Sequence, residues 1–333
     1  MKNTHEEVFH FAVYSRLLHG VSRILIIPVV DLAMNLFPAL MLRLIHPLHM
    51  YRLWVLQRGR KGVNRVYDDP QLKLYHRLLP GDHLHYGYFD DPSISAVDMS
   101  LGMIYRAQER YANLLADLVV QTELPVLDVG CGMGGLLGVL NKRGLKAVGL
   151  TPDKNQAKHI KATYPNELLE CRFEEMNSQG RAATFGSVIT SESLQYLELK
   201  EAIPLVNKLL VPGGRWIACD YFREGAAVEK SGHYWDHFVK QLDEQGFQIV
   251  MQQDITPNIL PTIAYAHHWT AKVMLPLVEF GEDKLKVKAP GWHYMLQEFL
   301  KGMYQKIDKN LATIDPEQFA AKKKYLLMVI ERK

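Results

Sequence analysis

From Val66 onward, short apolar runs alternate with longer runs in which apolar residues recur every three to four positions. Pro125–Val129, Ala147–Leu150, Glu167–Arg172, Gly186–Thr190 and Arg215–Asp220 read as strands, and Phe247–Asp254 and Tyr325–Glu331 as two more near the end. Gly135–Lys142, Lys154–Thr163, Lys200–Leu210 and His233–Gln245 read as helices between them. Upstream, Met99–Val120 predicts an amphipathic helix whose apolar face carries Met103, Ala107, Leu114 and Leu118. Strands that alternate with helices imply a parallel sheet covered on both faces. A largely helical insert, about 258–320, separates the last two strands.

The N-terminal 1–65 is patterned differently and predicts a separate helical extension ahead of the main domain, 66–333. Ile24–Leu42 is an apolar run with one charge, Asp31, and basic and aromatic residues follow it at Arg43, Tyr51, Arg52 and Trp54. The net charge of the whole chain is only +3. Residues 1–66 nevertheless hold nine Lys/Arg against three Asp/Glu. An apolar, basic surface suits peripheral contact with a membrane through residues 17–56. A structural helix, a homodimer contact and a true span are the other readings of the same run, and Asp31, Pro28 and Pro38 oppose the span. The small basic excess disfavours a nucleic-acid partner. Three cysteines without a CxxC pair speak against a disulfide framework or a zinc site and for a reducing, cytoplasmic compartment, with a peripheral seat on the inner face of a membrane.

Candidate chemistry starts at Val126-Leu-Asp-Val-Gly-Cys-Gly-Met-Gly-Gly135, an apolar strand that runs through Asp128 into Gly130, Gly132 and Gly134 and then a helix. Glycines let the backbone turn sharply and approach a ligand, and the helix start adds unpaired N–H groups. The spacing is GxGxGG, the second strand ends in Val148-Gly-Leu-Thr151 and not in an acid, and the loop has no Lys. A dinucleotide fingerprint and a P-loop are therefore both disfavoured.

With these residues the chain resembles the class I S-adenosylmethionine (SAM)-dependent methyltransferases. Gly149-Leu-Thr-Pro-Asp-Lys-Asn-Gln156 is similar to a second motif of the branch that holds the cyclopropane-fatty-acid, sterol, tocopherol and geranyl-diphosphate enzymes, with Pro152-Asp153 as a departure. The resemblance implies an α/β fold: a seven-stranded Rossmann-like sheet whose last strand inserts antiparallel, with the helical extension and a helical lid added. It implies SAM as cofactor, with Gly130, Gly132 and Gly134 under its methionine part, Asp128 at its amino group, and Thr151 and Gln156 toward the ribose. It implies that Gln108 reaches the methionine carboxylate. The adenine-side acid of the family is replaced by Arg172, which leaves Phe173 or Glu174 for that role, and Tyr67 completes the cofactor set.

The fourth predicted strand runs into Ile189-Thr-Ser-Glu-Ser-Leu-Gln-Tyr-Leu197, and topology puts Glu192 at its carboxyl end, where open α/β sheets bind ligands. Its context resembles the E-S-x-x-Y stretch of the geranyl-diphosphate enzymes. A carboxylate there suits either stabilisation of a cation formed at carbon or removal of a proton, with Tyr196 supplying a π face. A structural role, capping the next helix, stands beside both. Asp82-His-Leu-His-Tyr-Gly-Tyr-Phe89 resembles a segment that closes over SAM in tocopherol-type relatives, which places His85 and Tyr88 among the candidate catalytic residues. His83 and His85 at spacing two do not carry a metal site without nearby acids or cysteines, so no metal is expected. The aromatic and methionine content of the insert (Tyr265, His267, His268, Trp269, Met274, Trp292, His293, Tyr294, Met295) predicts a lid over a greasy acceptor. The expected activity is methylation of a small lipophilic acceptor, at carbon. Transfer to O or N, and a non-catalytic SAM- or lipid-binding accessory role, are the alternatives.

Overall fold

The structure is a computed structural model and describes residues 45–59, 74, 76–224 and 232–333. It divides into two compact units: Val66–Thr270 with Lys309–Lys333, and Ala271–Asp308 with the segment before Val66. In chain order the elements are α1 Pro47–Gly59, α2 Leu101–Asp117, β1 Val126–Val129, α3 Gly135–Lys142, β2 Ala147–Leu150, α4 Lys154–Thr163, β3 Glu167–Leu169, β4 Phe185–Ser191, α5 Leu199–Leu209, β5 Leu210–Arg223, β6 His233–Tyr234, α6 Trp235–Glu244, β7 Phe247–Asp254, α7 Thr256–Trp269, α8 Leu275–Lys288, α9 Pro290–Thr313, α10 Pro316–Lys322 and β8 Lys323–Arg332.

The strands form one sheet in the order β3-β2-β1-β4-β5-β8-β7. β1 through β5 pair in parallel, and β8 runs antiparallel to both β5 and β7. The expected seven strands are all present. The eighth, β6, is a two-residue strand beside the end of β5, where the sequence reads as the start of a helix.

Alternation along each strand sorts side chains to the two faces, as a period of two requires. Leu127, Val188, Trp216, Ala218, Phe222, Leu326 and Met328 join one core with Ile203 and Val206 of α5 and Phe238 of α6. Val126, Ile189, Ile217, Cys219, Tyr325 and Leu327 join the other, with Tyr111 and Leu115 of α2, Leu137 and Leu140 of α3, Ile259 of α7 and Phe319 of α10. Both faces are therefore dry, the condition a parallel sheet needs. Each fully buried Leu or Phe here contributes on the order of 1.5–3 kcal/mol through removal of its surface from water.

Ser100 and Asp153 cap α2 and α4 by accepting from the first free backbone N–H groups. The buried stripe of α2 is Ile104, Ala107, Gln108, Tyr111, Ala112, Leu115 and Ala116, rotated from the predicted Met103–Ala107–Leu114–Leu118 face. The displacement has a physical cause. Gln108 and Tyr111 are buried because their polar ends find work inside, and a pattern of apolar positions cannot register them.

In the other unit, Glu282 of α8 binds His293 Nε2 of α9 at 3.0 Å and Lys286 Nζ at 3.0 Å. These partners and the Tyr304 hydroxyl pull its carboxyl down to about 2. Val287, Tyr294, Met295 and Phe299 are exposed, as are Leu48, Tyr51 and Leu56 of α1. Residues Ala271–Asp308, predicted as part of a lid within the second domain, thus group with the N-terminal unit. The apolar run Ile24–Leu42 lies outside the described residues, as does most of the segment 17–56 expected to meet a membrane or a dimer partner. Among the described residues no helix is long and apolar enough to cross a membrane.

Candidate functional site

Strand order reverses at β1, whose neighbours are β2 on one side and β4 on the other. Helices that leave two such strands on opposite faces open a crevice at their carboxyl ends. Gly130 follows β1 and Glu192 follows β4, and Val129 pairs with Thr190, so both reach the crevice side by side.

The bend after β1 needs its glycines. Gly130, Gly132 and Gly134 have φ of +76°, +55° and +94°, where side chains are strained. A Cβ on Gly130 would also stand 2.5 Å from the Ser193 Cβ, and one on Gly134 2.6 Å from the Tyr164 ring.

Segment 83–88 lies over this bend. His83 Nδ1 would be 2.4 Å from a Cβ on Gly135, and Leu84 faces Gly132. The segment is pinned along its length. Gln108 Nε2 donates to the His85 carbonyl at 2.6 Å, the Tyr86 N–H to Glu192 Oε1 at 2.8 Å, the Gly87 N–H to Thr262 Oγ1 at 3.0 Å, and the Tyr88 N–H to the Ala107 carbonyl at 2.9 Å.

Two buried polar atoms of the crevice, Asp128 Oδ2 and Gln108 Oε1, have no partner among the described residues. An unmet buried acceptor is costly, about 1–3 kcal/mol, and so marks a place where a ligand's donors belong. Burial alone raises the Asp128 carboxyl to about 7. Gln108 spends its donor side on the covering segment and leaves its Oε1 as an unmet buried acceptor. Thr151 Oγ1 donates to Gln156 Oε1 at 2.6 Å and both are buried, which joins the end of β2 to α4.

Glu192 sits at φ +50°, a left-handed conformation that few non-glycine residues adopt and that clusters at functional sites. Its Oε1 accepts from both the Tyr86 N–H and, at 2.6 Å, the Tyr325 hydroxyl. Tyr111 Oη lies 3.1 Å from Tyr325 Oη and 3.1 Å from Ser191 Oγ. A hydroxyl has one hydrogen. Tyr325 gives its own to Glu192, and the Tyr111 hydroxyl, which also faces the Cys219 carbonyl at 3.5 Å, can donate to Tyr325 and accept from Ser191. Burial, opposed by these hydrogen bonds, raises Glu192 to about 7, and burial raises Asp220 nearby to about 8. Among the described residues Glu192 has no ion-pair partner. Around it stand the rings of Tyr86, Tyr111 and Tyr325, edge to face at centroid separations of 6.0 and 6.3 Å.

Of the residues expected to do chemistry, Glu192 alone occupies this centre. Tyr196 is 75% exposed on the turn Leu194–Tyr196, outside the cluster, and Tyr325 takes the place next to the carboxylate. His85 reaches the cluster only as a flat face, stacked 4.3 Å from Tyr111. Its Nδ1 donates to the Tyr86 carbonyl at 2.8 Å, and burial lowers it to about 3, which keeps it neutral and makes it a positioning group. The Tyr88 ring packs beneath the Arg110 guanidinium at 5.7 Å.

Neither adenine-side candidate is available as expected. Phe173 is 1% exposed within the core, where burial draws an apolar ring, and Glu174 accepts from the Glu198 N–H at 3.0 Å ahead of α5. Tyr67 lies outside the described residues. Tyr111, Tyr325 and Asp220 carry no local motif, and only the presence of tyrosines and an acid on apolar strands and helices could have drawn attention to them. A surface cleft of about 600 Å³, lined by Lys146, Glu167, Arg181 and Phe185, lies at the other end of the sheet, the amino ends of the strands, and is no part of this site.

Residues 127–218 match the family model described as a methyltransferase domain. The chain is 24% identical over 172 residues to norajmaline N-methyltransferase of Rauvolfia serpentina, an alignment that covers 49% of this chain and 59% of that relative. It is 23% identical over 240 residues to an S-adenosyl-L-methionine-dependent Diels-Alderase of Talaromyces variabilis, covering 62% and 80%. Geranyl diphosphate C-methyltransferase from Streptomyces coelicolor A3(2) shares the fold with a TM-score of 0.56 at 15% identity, over 80% of this chain and 99% of that one. With its glycine bend at the β1/β4 switch point and its antiparallel last strand, the chain has the fold of the SAM-dependent methyltransferases, and residues 127–218 carry a methyltransferase domain.

Proposed function

We propose that the protein methylates a small lipophilic acceptor at carbon and that Glu192 is the base. The observation that carries this reading is a partly buried carboxylate with no counter-cation among the described residues, held through one oxygen at the switch point and walled by three tyrosines. The residues fit SAM. Gly130, Gly132 and Gly134 leave room for its methionine part, Asp128 Oδ2 and Gln108 Oε1 would receive its amino hydrogens, and Thr151 with Gln156 borders the ribose end. When bound, SAM supplies an electrophilic methyl carbon on a sulfonium.

The chain's own groups do the rest. Segment 83–88 excludes water and so strengthens every charge interaction inside. Aromatic faces of Tyr86, Tyr111 and Tyr325 suit an apolar acceptor and a positive charge that grows on it. When an acceptor π bond takes the methyl, the C–S electron pair would stay on the donor's sulfur and the neighbouring acceptor carbon becomes cationic; a proton on a carbon next to that centre passes to the Glu192 carboxylate and its C–H electron pair restores a double bond, while Tyr325 holds the other oxygen in place. A carboxyl near 7 is balanced between accepting that proton and releasing it at neutral pH.

The test is incubation of the intact protein with methyl-labelled SAM and lipid extracts, followed by mass analysis. A labelled product whose fragmentation places the label on a carbon-bound methyl, and whose formation fails in Glu192→Gln, supports transfer to carbon, and a label found on nitrogen or on an ether oxygen counts against it. A label lost on base hydrolysis indicates transfer to oxygen. An acceptor converted without label indicates a SAM-loaded cyclase, a reading supported by the Diels-Alderase relative. Either of the last two results overturns the proposal.

A further inference from the structure

His76, Asp82 and His159 form a cluster beside the glycine bend that methyl transfer does not use. His76 Nε2 lies 3.0 Å and His159 Nε2 2.9 Å from the same oxygen, Asp82 Oδ1, and each of the three residues offers one ligand atom within 4.8 Å of the others. The two imidazoles approach the oxygen from different directions, with rings 4.7 Å apart and inclined by 65°. The other carboxylate oxygen is already fixed, because the Tyr164 hydroxyl donates to Asp82 Oδ2 at 2.6 Å. All three side chains are partly exposed, at 29, 17 and 26%, so an ion has a path in.

Two imidazole nitrogens and one carboxylate oxygen are the donor set of a zinc-class ion with one position left for water. Bonds of about 2.05 Å around a tetrahedral ion space neighbouring ligand atoms by about 3.3 Å. The two nitrogen–oxygen separations, 3.0 and 2.9 Å, need to open by only a few tenths of an ångström. The aspartate orientation imposed by Tyr164 is the kind of outer partner such sites require.

We propose that His76, Asp82 and His159 bind one divalent zinc-class ion, and that the ion clamps the segment over the glycine bend. The linkage is direct. Asp82 directly precedes the covering segment 83–88, and His159 lies on α4, which starts just after Thr151. The Tyr164 ring touches both Asp82 and the space above Gly134. An ion that joins His76 and Asp82 to His159 therefore holds the cover against the donor loop. This inference does not depend on the acceptor or on Glu192.

The test uses the full chain and Zn²⁺ alone. A chelator-competition titration should show one site that weakens at least tenfold in His159→Gln and in His76→Gln. Removing groups that only orient a metal ligand already costs about 10–100-fold, and these residues are the ligands themselves. His293→Gln, in the Glu282 cluster, should bind as the parent does. Co²⁺ should give an intense tetrahedral visible band that His159→Gln lacks, while metal-free unfolding midpoints of the variants confirm their folding. Amide exchange across 83–88 should slow when Zn²⁺ is added. Zn²⁺ uptake equal in the parent and both variants, or no uptake, overturns the site. Uptake that leaves exchange at 83–88 unchanged overturns the clamp.

Discussion

Replacement of Glu192 by Gln should make the folded protein more stable above neutral pH, and the size of the gain is set by the site. The ordinary carboxyl value is 4.5, and the fold raises it to about 7 by burial. A carboxyl that binds its proton more tightly when folded contributes its full stability below 4.5 and loses it as pH rises through 7. At 1.36 kcal/mol per tenfold change in proton affinity, ionising Glu192 destabilises the fold by about 3 kcal/mol, an upper bound because the residue keeps some exposed surface.

Gln retains an oxygen for the Tyr86 N–H and the Tyr325 hydroxyl but carries no charge. Urea unfolding followed by tryptophan fluorescence, at pH 5.5 and pH 8.5, measures the effect, with Trp216 fully buried in the sheet core as reporter. Other groups move with pH over the same range. Buried His85, lowered to about 3, gains stability for the fold as pH rises to its ordinary 6.5, and Asp128 and Asp220 lose it. The difference between parent and variant at each pH removes these shared terms. The expected result is a small difference at pH 5.5 and a more stable variant at pH 8.5, by about 1–3 kcal/mol. A variant destabilised by the same amount at both values would refute the reasoning, because it would mean that Glu192 is an ordinary structural carboxylate held by its hydrogen bonds.

Other consequences are open to equally simple measurements. Tyr325→Phe removes one donor to Glu192 and should move the alkaline midpoint of the Glu192-dependent stability change upward, readable by the same unfolding series; an unchanged midpoint would remove Tyr325 from the network. Gly130→Ala and Gly134→Ala should abolish SAM binding in calorimetry while the sheet still folds, because each needs a positive φ and meets a neighbour at 2.5 or 2.6 Å. SAM affinity of the parent should rise by up to about tenfold between pH 6 and pH 8, because a cationic donor favours the ionised form of an Asp128 raised to about 7. Asp128→Asn should bind more weakly, with a flat pH profile. Leu127→Ala, fully buried behind the bend, should lower stability by about 2–5 kcal/mol through the cavity it leaves.

Local rules in the sequence determined much of this molecule. Two strands and two helices, Ala147–Leu150, Phe247–Asp254, Gly135–Lys142 and Lys154–Thr163, begin and end where the apolar pattern places them, because each is a short run with a clear period and a clear stop. The glycine bend was legible for the same reason: positive φ and close approach are properties that residue type alone announces. Topology then placed Glu192 at a strand end, as the sheet confirms.

Tertiary structure decided what surrounds it. Tyr325, 133 residues away, reaches the carboxylate and Tyr111, 81 away, reaches Tyr325 because alternation on β8 and a buried stripe on α2 aim them there, and no local motif encodes a contact between distant elements. The same holds for polar groups in the core. Gln108, Asp128 and Tyr111 read as surface positions in any count of apolar residues. Whether a polar atom can be buried depends on partners that only the folded chain, or its ligand, supplies. Tyr196 and Phe173 show the converse: neighbours in sequence to the right motifs, they were turned to solvent and to the core by the packing of the sheet.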